Sequence, residues 1–443
     1  MQSSNAVQRI QHLIAAIDQL IQTQINKVLH HPQFQQLEAS FRGLYYLAGE
    51  ISQNNQPRVK LKVLNISWQE LSKDLSRAAE FDQSQLFLKI YTNEFGQPGG
   101  EPFGLLIGDY CISHRPCKGI DNISILRTIT KIAAAAFAPF IAAIAPGFLG
   151  FDDFANLTPG LNLNRTFQQA EYQQWKALRQ DEDARFLGLL LPQILLRLPW
   201  QKTKALRHPF YFNEETATHS AYLWGNPAWC FAAVAVRTFE QTGWFSAIRG
   251  AGGEFIGGRI QNLPSPVVNV DQSMLALKAP VNVYITDNQE KELTDQGFIP
   301  VCSSKKPGMV LFYDCPSVQK PKTHDSSNAS ENSKLSSQLH YILCVSRFAH
   351  YVKIIARNKM GTFTSAKDCE KKLQDWIHQY VVASQDLSET LKIKYPLRDA
   401  KVEVFERPGD TGVYLCTMHI SPHYQFDFVQ TDLRFITELA YVR

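Results

Sequence analysis

The stretch Ser124–Ile144, SILRTITKIAAAAFAPFIAAI, decides the fold class, because it joins a helix pattern to a short apolar run. We expect a helix near Ser124–Ala136 and a buried strand over Phe140–Ile144. A preceding apolar run, Leu105–Ile107, predicts a strand before this helix. Together these elements indicate a β-α-β unit in a sheet that is covered on both faces.

A membrane span is the alternative interpretation of this region, since Ile132–Leu149 is nearly free of charge. Pro139 and Pro146 divide the stretch into two pieces, and each piece is too short to cross a bilayer. Its alanines suit a tightly packed helix and strand. We therefore predict a buried core segment and no membrane insertion.

The alternation of helices and strands continues further along the chain. Asn226 is a suitable N-cap, Pro227 a suitable first-turn residue, and Gly243 ends the helix that they begin. The elements predicted after it are the strand Trp244–Ile248, the strand Val281–Thr286, the helix Asn288–Gln296 and the strand Phe298–Val301. The fold class is therefore α/β, in a mixed α+β arrangement.

The N-terminal part has a helical pattern of its own. Apolar residues recur every three or four positions over Ile10–Val28, which predicts an amphipathic helix that stops at His31 and Pro32. A second helix is expected over roughly Phe34–Gly49. Arg58–Ile66, RVKLKVLNI, alternates apolar and polar residues as a half-buried strand does.

The C-terminal part begins with a polar stretch. Ser317–Ser337 is rich in serine, asparagine, lysine and proline, so we expect a mobile surface loop. A long helix follows over Leu335–Ile355, and Ser365 with Asp368 opens a shorter one. The tail predicts three strands: Lys401–Phe405, Gly412–His419 and Phe426–Ile436, the first two around the turn Arg407–Thr411.

These patterns divide the chain into four parts. We predict a helical N-terminal arm (1–56), an α/β core (57–316), a flexible loop (317–337) and C-terminal helices with β-strands (338–443). A hairpin is marginal alone, and its unpaired edges accept strands from other chains. We therefore expect Lys401–Ile436 to join neighbouring protomers.

Composition excludes several classes of protein. The net charge of +4 over 443 residues is too weak and too dispersed for a nucleic-acid partner. The first residues are polar and lack the basic patch of a signal peptide. The eight cysteines are scattered, several of them in apolar segments, which indicates reduced thiols in the cytoplasm.

The glycine-rich loop does not fit a nucleotide-binding motif. Its glycines follow a predicted strand and are Gly250, Gly252, Gly253, Gly257 and Gly258. Phe255 stands where a dinucleotide motif needs glycine, and Arg259 stands where a phosphate loop needs lysine. We expect a tight loop in which glycine permits positive φ.

The remaining candidates for chemistry are also weak. Cys111, His114 and Cys117 lack the second close pair of a zinc site, so we predict a surface loop. His30 and His31 stand at a helix end, where a capping and dipole role is expected.

The acidic group Asp181–Asp183 is flanked by Arg179 and Arg185, which is typical of a solvated or subunit-pairing face. The sequence contains neither G-x-S-x-G nor H-E-x-x-H. We predict no catalytic, cofactor-binding or metal-binding residues, and no cofactor.

Several unusual strings occur together in a fixed order. They include HHPQFQQLEASFRGL (His30–Leu44), EFDQSQLF (Glu80–Phe87), EFGQPGGEPFGLLIGDY (Glu94–Tyr110), LLPQILLRLPW (Leu190–Trp200), YLWGNPAW (Tyr222–Trp229), ITDNQEKELTDQGFIPV (Ile285–Val301), SRFAHYVK (Ser346–Lys353) and PLRDA (Pro396–Ala400). From about residue 10 to its end, the chain resembles the large sheath subunit of type VI secretion, the TssC/VipB family.

This resemblance implies a structural protein of the bacterial cytoplasm and not an enzyme. It implies a phage tail-like contractile sheath, in which the chain forms a helical lattice with itself and with a small TssB/VipA-like subunit. The lattice surrounds an Hcp inner tube on a baseplate, and contraction propels the tube. The implied fold is a sheath-type core with a helical arm and C-terminal strands that form sheets between subunits.

Family members often carry a further N-terminal extension with a helix that the ClpV unfoldase recognises. The present chain begins at about the start of the stripe Ile10–Val28, so we expect this element to be missing. Either the protein is a short member that is recycled differently, or the extension was not part of this chain. An α/β enzyme and a non-contractile scaffold are the alternative functions.

Overall fold

The computed structural model describes residues 2–52, 57–97, 99–116, 119–158, 160–201, 212–216, 218, 221–245, 247–250, 257–271, 274–304, 308–323, 325, 327–359, 366–382, 389–406, 414–423 and 433–439. Its helices are α1 (Gln2–Leu29), α2 (Pro32–Ser52), α3 (Trp68–Arg77), α4 (Gln85–Phe87), α5 (Asn93–Phe95), α6 (Asn122–Ala136), α7 (Leu163–Phe167), α8 (Gln173–Gln180), α9 (Ala228–Thr242), α10 (Asp287–Asp295), α11 (Ser327–Ser336), α12 (Leu339–Lys359), α13 (Ala366–His378) and α14 (Glu389–Lys394).

Its strands are β1 (Leu106–Ile112), β2 (Phe140–Ile144), β3 (Leu187–Leu191), β4 (Ile194–Arg197), β5 (Leu223–Gly225), β6 (Arg259–Ile260), β7 (Val267–Asp271), β8 (Met274–Leu277), β9 (Phe298–Pro300), β10 (Cys302–Ser303), β11 (Val310–Leu311), β12 (Leu397–Glu406), β13 (Tyr414–Pro422) and β14 (Leu433–Leu439). Four parallel strands, in the order β1, β2, β3 and β9, form the central sheet.

The predicted β-α-β unit is confirmed as β1, α6 and β2. Strand β2 has the predicted bounds, and β1 is longer than the predicted Leu105–Ile107. Helix α6 buries Leu126, Ile129 and Ile132, each at most 1% exposed, against the sheet. In the described part of the chain, no helix combines the length and the apolarity of a membrane span.

Helix α9 begins and ends where the sequence predicts. The Asn226 side chain accepts a hydrogen bond of 2.8 Å from the amide of Ala228. At the other end Gly243 has a φ of 79°, a conformation that glycine adopts without strain. The arm packs on this helix, because a Cβ at Gly43 would lie 2.3 Å from the indole of Trp229.

Two predicted strands in this part of the core are wrong. The described residues of Trp244–Ile248 form a turn in which Trp244 stacks on Phe348, with ring centroids 4.2 Å apart. In Val281–Thr286 only Val281 forms an isolated bridge. The buried members of both runs, such as Trp244 and Ile285, are covered by side-chain packing, which a sequence pattern does not distinguish from pairing in a ladder.

The predicted strand Arg58–Ile66 is also wrong. All of its residues are described, and they form no strand. Most of the segment is exposed, with Val63 reaching 68%. Alternation of apolar and polar residues could not supply a neighbouring strand.

The prediction of a mobile surface loop over Ser317–Ser337 is wrong at α11, where Ser327–Ser336 form a helix. Its mobility stays a prediction. The start of the segment is buried. Val318 is 0% exposed, and its amide donates a hydrogen bond to the Leu187 carbonyl at 2.9 Å. The Ser317 amide donates to the carbonyl of Ser337, which closes the segment at its base. A polar composition excludes an apolar core. It does not exclude a solvated helix, because a helix satisfies its main-chain hydrogen bonds internally.

The C-terminal helices α12 and α13 share a core with an antiparallel sheet in the order β12, β13, β14. The first two predicted strands are confirmed as β12 and β13. The third, predicted over Phe426–Ile436, is confirmed in β14 over residues 433–436, and its residues 426–432 lie outside the described residues. The predicted turn Arg407–Thr411 and the predicted cap Ser365 lie outside the described residues.

Candidate assembly surfaces

The glycine-rich loop has the tight geometry that the sequence predicts. Gly250 and Gly257 have φ values of 74° and 57°, and the Gly250 carbonyl accepts from the Gly258 amide at 2.9 Å. A Cβ at Gly258 would lie 2.5 Å from the carbonyl oxygen of Phe312. Chain geometry therefore requires glycine at these positions. Residues 251–256 lie outside the described residues.

The candidate metal ligand His114 is packed among aromatic rings. It stacks on Tyr172 with centroids 4.4 Å apart, and its Nε2 lies 3.7 Å from a Glu171 oxygen. Burial lowers the pKa of this imidazole. Cys117 lies outside the described residues. Within the described ranges no group of three His, Cys, Asp or Glu residues could hold a metal, and the prediction of no metal site stays a prediction.

Arg197 fastens the helical arm to the core. Its guanidinium contacts the Glu214 carboxylate at 2.5 Å and the Glu38 carboxylate of α2 at 2.8 Å. His30, at the end of α1, lies 3.4 Å from Glu214. Burial alone would raise the pKa of Glu214, but the hydrogen bonds from Arg197 and the Trp200 amide, together with the positive charge of Arg197, hold this pKa below its ordinary value. His30 and His31 stand between α1 and α2, at the helix end where they were expected.

The acidic group Asp181–Asp183 forms ion pairs within the chain. Asp181 contacts Arg127 at 2.9 Å, and Glu182 contacts Lys322 at 2.8 Å. Both pairs are largely exposed, so each contributes little to stability. This geometry fits a solvated face, which is one of the two alternatives that the sequence left open. The subunit-pairing face stays a prediction.

One edge of the C-terminal sheet is covered by the chain itself. Gln374 of α13 accepts from the Val402 amide at 2.7 Å and donates to the Ala400 carbonyl at 2.8 Å. Glu370 accepts from the Val404 amide at 3.0 Å. These side chains occupy the main-chain groups that an added strand would use. The edge of β12 is therefore closed to another chain.

The opposite edge is β14, which pairs with β13 and with no other strand among the described residues. The Val402 amide points away from β13, so Val402 and Met418 form a non-hydrogen-bonded pair of the ladder. The main-chain groups of Met418 therefore point toward β14, where they pair with those of Phe435. By alternation, the amides of Arg434 and Ile436 point outward. No described strand pairs with these outward groups.

Helix α1 leaves its predicted apolar stripe uncovered. The members of the predicted stripe that are 41–66% exposed are Ile10, Leu13, Ile14, Ile17, Leu20, Ile21 and Val28. Val7, which precedes the stripe, is 53% exposed. On α2, Leu37, Phe41 and Tyr45 are 55%, 65% and 82% exposed. Contiguous apolar surface of this kind marks an interaction site. Sequence periodicity predicted the stripe, but only the fold shows that the described residues of the chain leave it exposed.

Two family models together cover nearly the whole chain. The model of the EvpB/VC_A0108 tail sheath N-terminal domain matches residues 11–319. The model of the EvpB/VC_A0108 tail sheath gpW/gp25-like domain matches residues 328–439.

Solved structures of sheath proteins give weak similarity. The anti-feeding prophage baseplate aligns with a TM-score of 0.35 at 11% identity, over 69% of this chain and 64% of that chain. The contracted helical sheath of the same prophage gives 0.34 at 12%, over 69% and 65%. The sheath tail protein of Desulfitobacterium hafniense gives 0.31 at 12%, over 73% and 62%. Scores this low carry no weight in the assignment.

A relative in Pseudomonas aeruginosa, the type VI secretion system sheath protein TssC1, is much more similar. It is 38% identical over 442 residues, which are 99% of this chain and 87% of the relative. The identity extends through the arm, the core and the C-terminal sheet. With both tail sheath models matched, the chain belongs to the VipB family of type VI secretion sheath proteins.

Proposed function

We propose that this sheath protein is the large subunit of a contractile type VI sheath. It co-polymerises with a small TssB/VipA-like subunit around an Hcp tube, on a baseplate in the bacterial cytoplasm, and contracts to propel the tube. The observation that carries the proposal is the 38% identity with TssC1 over 99% of the chain. The exposed stripe of α1 supports it, because permanent partners cover apolar surface of this kind.

Co-expression with the small subunit tests this function. Electron microscopy should show hollow tubes in two lengths, with the shorter form wider. Tubes of a single fixed state would indicate a non-contractile scaffold and contradict the proposal. A well-behaved monomer with turnover or a stoichiometric cofactor would favour an α/β enzyme and would also contradict it.

We further infer that the C-terminal sheet links neighbouring protomers through β14. The sequence left the whole region Lys401–Ile436 available, but α13 closes the β12 edge. A strand added at β14 would supply main-chain hydrogen bonds in a fixed register. Such bonds can hold subunits together while their bodies rotate.

A matched pair of proline variants tests this link. Ile436→Pro removes an outward amide, so heterodimers should stay soluble but form no tubes. Thr437→Pro removes an amide that faces β13 and should disrupt the subunit's own sheet. Normal tubes from Ile436→Pro would refute pairing at this edge.

A further inference from the structure

A cavity of about 490 Å³ lies where α7, α8 and the end of α10 meet the segment that follows β11. Pockets that hold small molecules have volumes of about 300–1,000 Å³, so this cavity is large enough for one. Its lining includes Trp175, Lys176, Arg179, Asp295 and Lys320. None of these residues belongs to α1 or to the C-terminal sheet, on which the proposed assembly depends.

Arg179 is a buried cation in the wall of this cavity. It is 7% exposed, and its guanidinium donates to the carbonyls of Val318 and Asp295 at 3.1 and 2.8 Å. It also donates to the side-chain oxygen of Gln296 at 3.0 Å. Burial lowers the pKa of Arg179 to about 10, so the side chain is still positively charged at neutral pH. A buried charge whose hydrogen bonds go to neutral oxygens is only partly compensated.

Two exposed lysines add positive charge to the same cavity. Lys320 is held next to Arg179, because its amide donates to the Arg179 carbonyl at 2.7 Å. Lys176 lies three residues before Arg179 on α8, and its Nζ donates to the Gln168 carbonyl at 2.9 Å. Among the described residues that line the cavity, these three cations face the single carboxylate of Asp295. The site is therefore positively charged.

Trp175 brings an unused hydrogen-bond donor to the lining. Its side chain is buried, with only 1% of the residue exposed, and its ring stacks on Phe298 with centroids 5.6 Å apart. In the part of the chain that the structure describes, the indole Nε1 has no hydrogen-bond partner. An indole N–H can only donate, and a buried donor without an acceptor costs free energy. An oxygen atom of a bound molecule would supply the acceptor.

The surroundings of the cavity favour a small molecule over a segment of another protein. The exposed residues of the lining are polar, and they include Gln168, Gln180 and Lys320. Its apolar residues, Phe167 and Trp175, are only 3% and 1% exposed, so they offer a partner protein no apolar surface to cover. Protein interfaces have an apolar centre, which this site lacks.

We propose that this cavity binds a small organic oxyanion, a molecule that carries carboxylate or phosphate groups. Its oxygen atoms accept hydrogen bonds from Arg179, from Lys320 and from the indole of Trp175. Hydrogen bonds between charged groups are stronger than those between neutral ones, and both kinds of oxyanion accept them. The proposal goes beyond the proposed function and does not depend on it, because every one of these residues lies within a single chain.

Isothermal titration calorimetry of the purified full chain tests the site, with citrate and pyrophosphate as probes at constant ionic strength. At least one probe should bind one molecule per chain with a Kd below about 1 mM. Lys320→Gln should weaken this binding about tenfold, because it removes a charged donor. Lys367→Gln on α13, where the lysine is also exposed, is the matched control and should leave the Kd unchanged.

Three results of the titration would overturn the proposal. The first is that neither probe binds. The second is an unchanged Kd in Lys320→Gln, which places the probe elsewhere. The third is equal weakening by the two lysine variants, which indicates an adventitious ion only.

A spectroscopic measurement locates the ligand without a change of charge. Trp175→Phe keeps a ring beside Phe298 and removes the N–H, so its missing signal in nitrogen–proton correlation spectra assigns the Trp175 indole. In the wild type this signal should shift when the probe is added, and Trp175→Phe should bind the probe about threefold or more weakly. A bound probe that leaves the signal in place contradicts the proposal.

Discussion

Helices α6 and α1 have similar sequence patterns and opposite surroundings. In α6 the isoleucines and leucine of the stripe are 0–7% exposed, because β1 and β2 of the same chain lie beneath them. In α1 the corresponding stripe is 41–66% exposed. Periodicity therefore identifies a face that must be covered, and it does not say whether the covering residues belong to the same chain.

The largest expected difference in unfolding free energy comes from making the same substitution, isoleucine to aspartate, in each of these two helices. Ile129→Asp in α6 buries an unpaired carboxylate and should cost more than about 5 kcal/mol of unfolding free energy. Ile17→Asp in α1 should change it by less than about 0.5 kcal/mol while abolishing co-purification of the small subunit. Urea denaturation of the dilute free chain and a pull-down measure the two effects. Equal destabilisation by both would show that α1 is covered by its own chain.

The joint between arm and core should give the next largest effect. Arg197→Ala leaves Glu214 buried without its partner and should cost about 3–5 kcal/mol. The double variant Arg197→Met/Glu214→Leu removes both charges and should cost far less. Denaturation curves compare them, with limited proteolysis to detect release of α1 and α2. A double variant as unstable as the single one would contradict this account.

Acid should weaken the contact between α6 and the C-terminal core. His350 Nε2 lies 2.9 Å from the Ala136 carbonyl, and burial lowers its pKa to about 3 from an ordinary value of 6.5. Between these values the unfolded chain binds a proton that the folded chain does not. Stability should therefore fall as pH falls below 6.5, by up to about 1.4 kcal/mol per pH unit from this residue.

His350→Gln tests that slope, because glutamine retains a donor but does not titrate. Denaturation at pH 7, 6 and 5 should show a smaller loss of stability in this variant than in the wild type. His12→Gln, on the exposed face of α1, is the control and should keep the wild-type slope. An unchanged slope in His350→Gln would be inconsistent with a buried, neutral imidazole.

The smallest expected effect concerns the polar helix α11. Ala329→Gly should destabilise it by about 1 kcal/mol, because glycine loses more backbone freedom in a helix. Hydrogen exchange of the amides near Ser333–Ser336 should then be about fivefold faster. No change in exchange would favour the irregular loop that composition suggests.

Much of the core was predictable from short-range signals. The cap at Asn226, the glycine at 243 and the apolar run Phe140–Ile144 each depend on local backbone geometry, and each lies where it was expected. Trp244–Ile248 was not predictable, since Trp244 is buried by stacking on Phe348, far along the chain, and Phe245 and Ile248 pack into a separate cluster. Local patterns indicate which side chains are buried, and long-range contacts decide which residues cover them.

The assembly surfaces divide in the same way. The sequence by itself determined the stripe of α1 and the C-terminal strands, because periodicity fixes which side chains share a face. Only the tertiary structure decided which of these faces stay open. Gln374 and Glu370 close one edge of the C-terminal sheet, while the described residues of the chain leave the stripe of α1 exposed. The physical reason is that a main-chain group or an apolar side chain is satisfied by any suitable neighbour, and the identity of that neighbour depends on how distant segments pack.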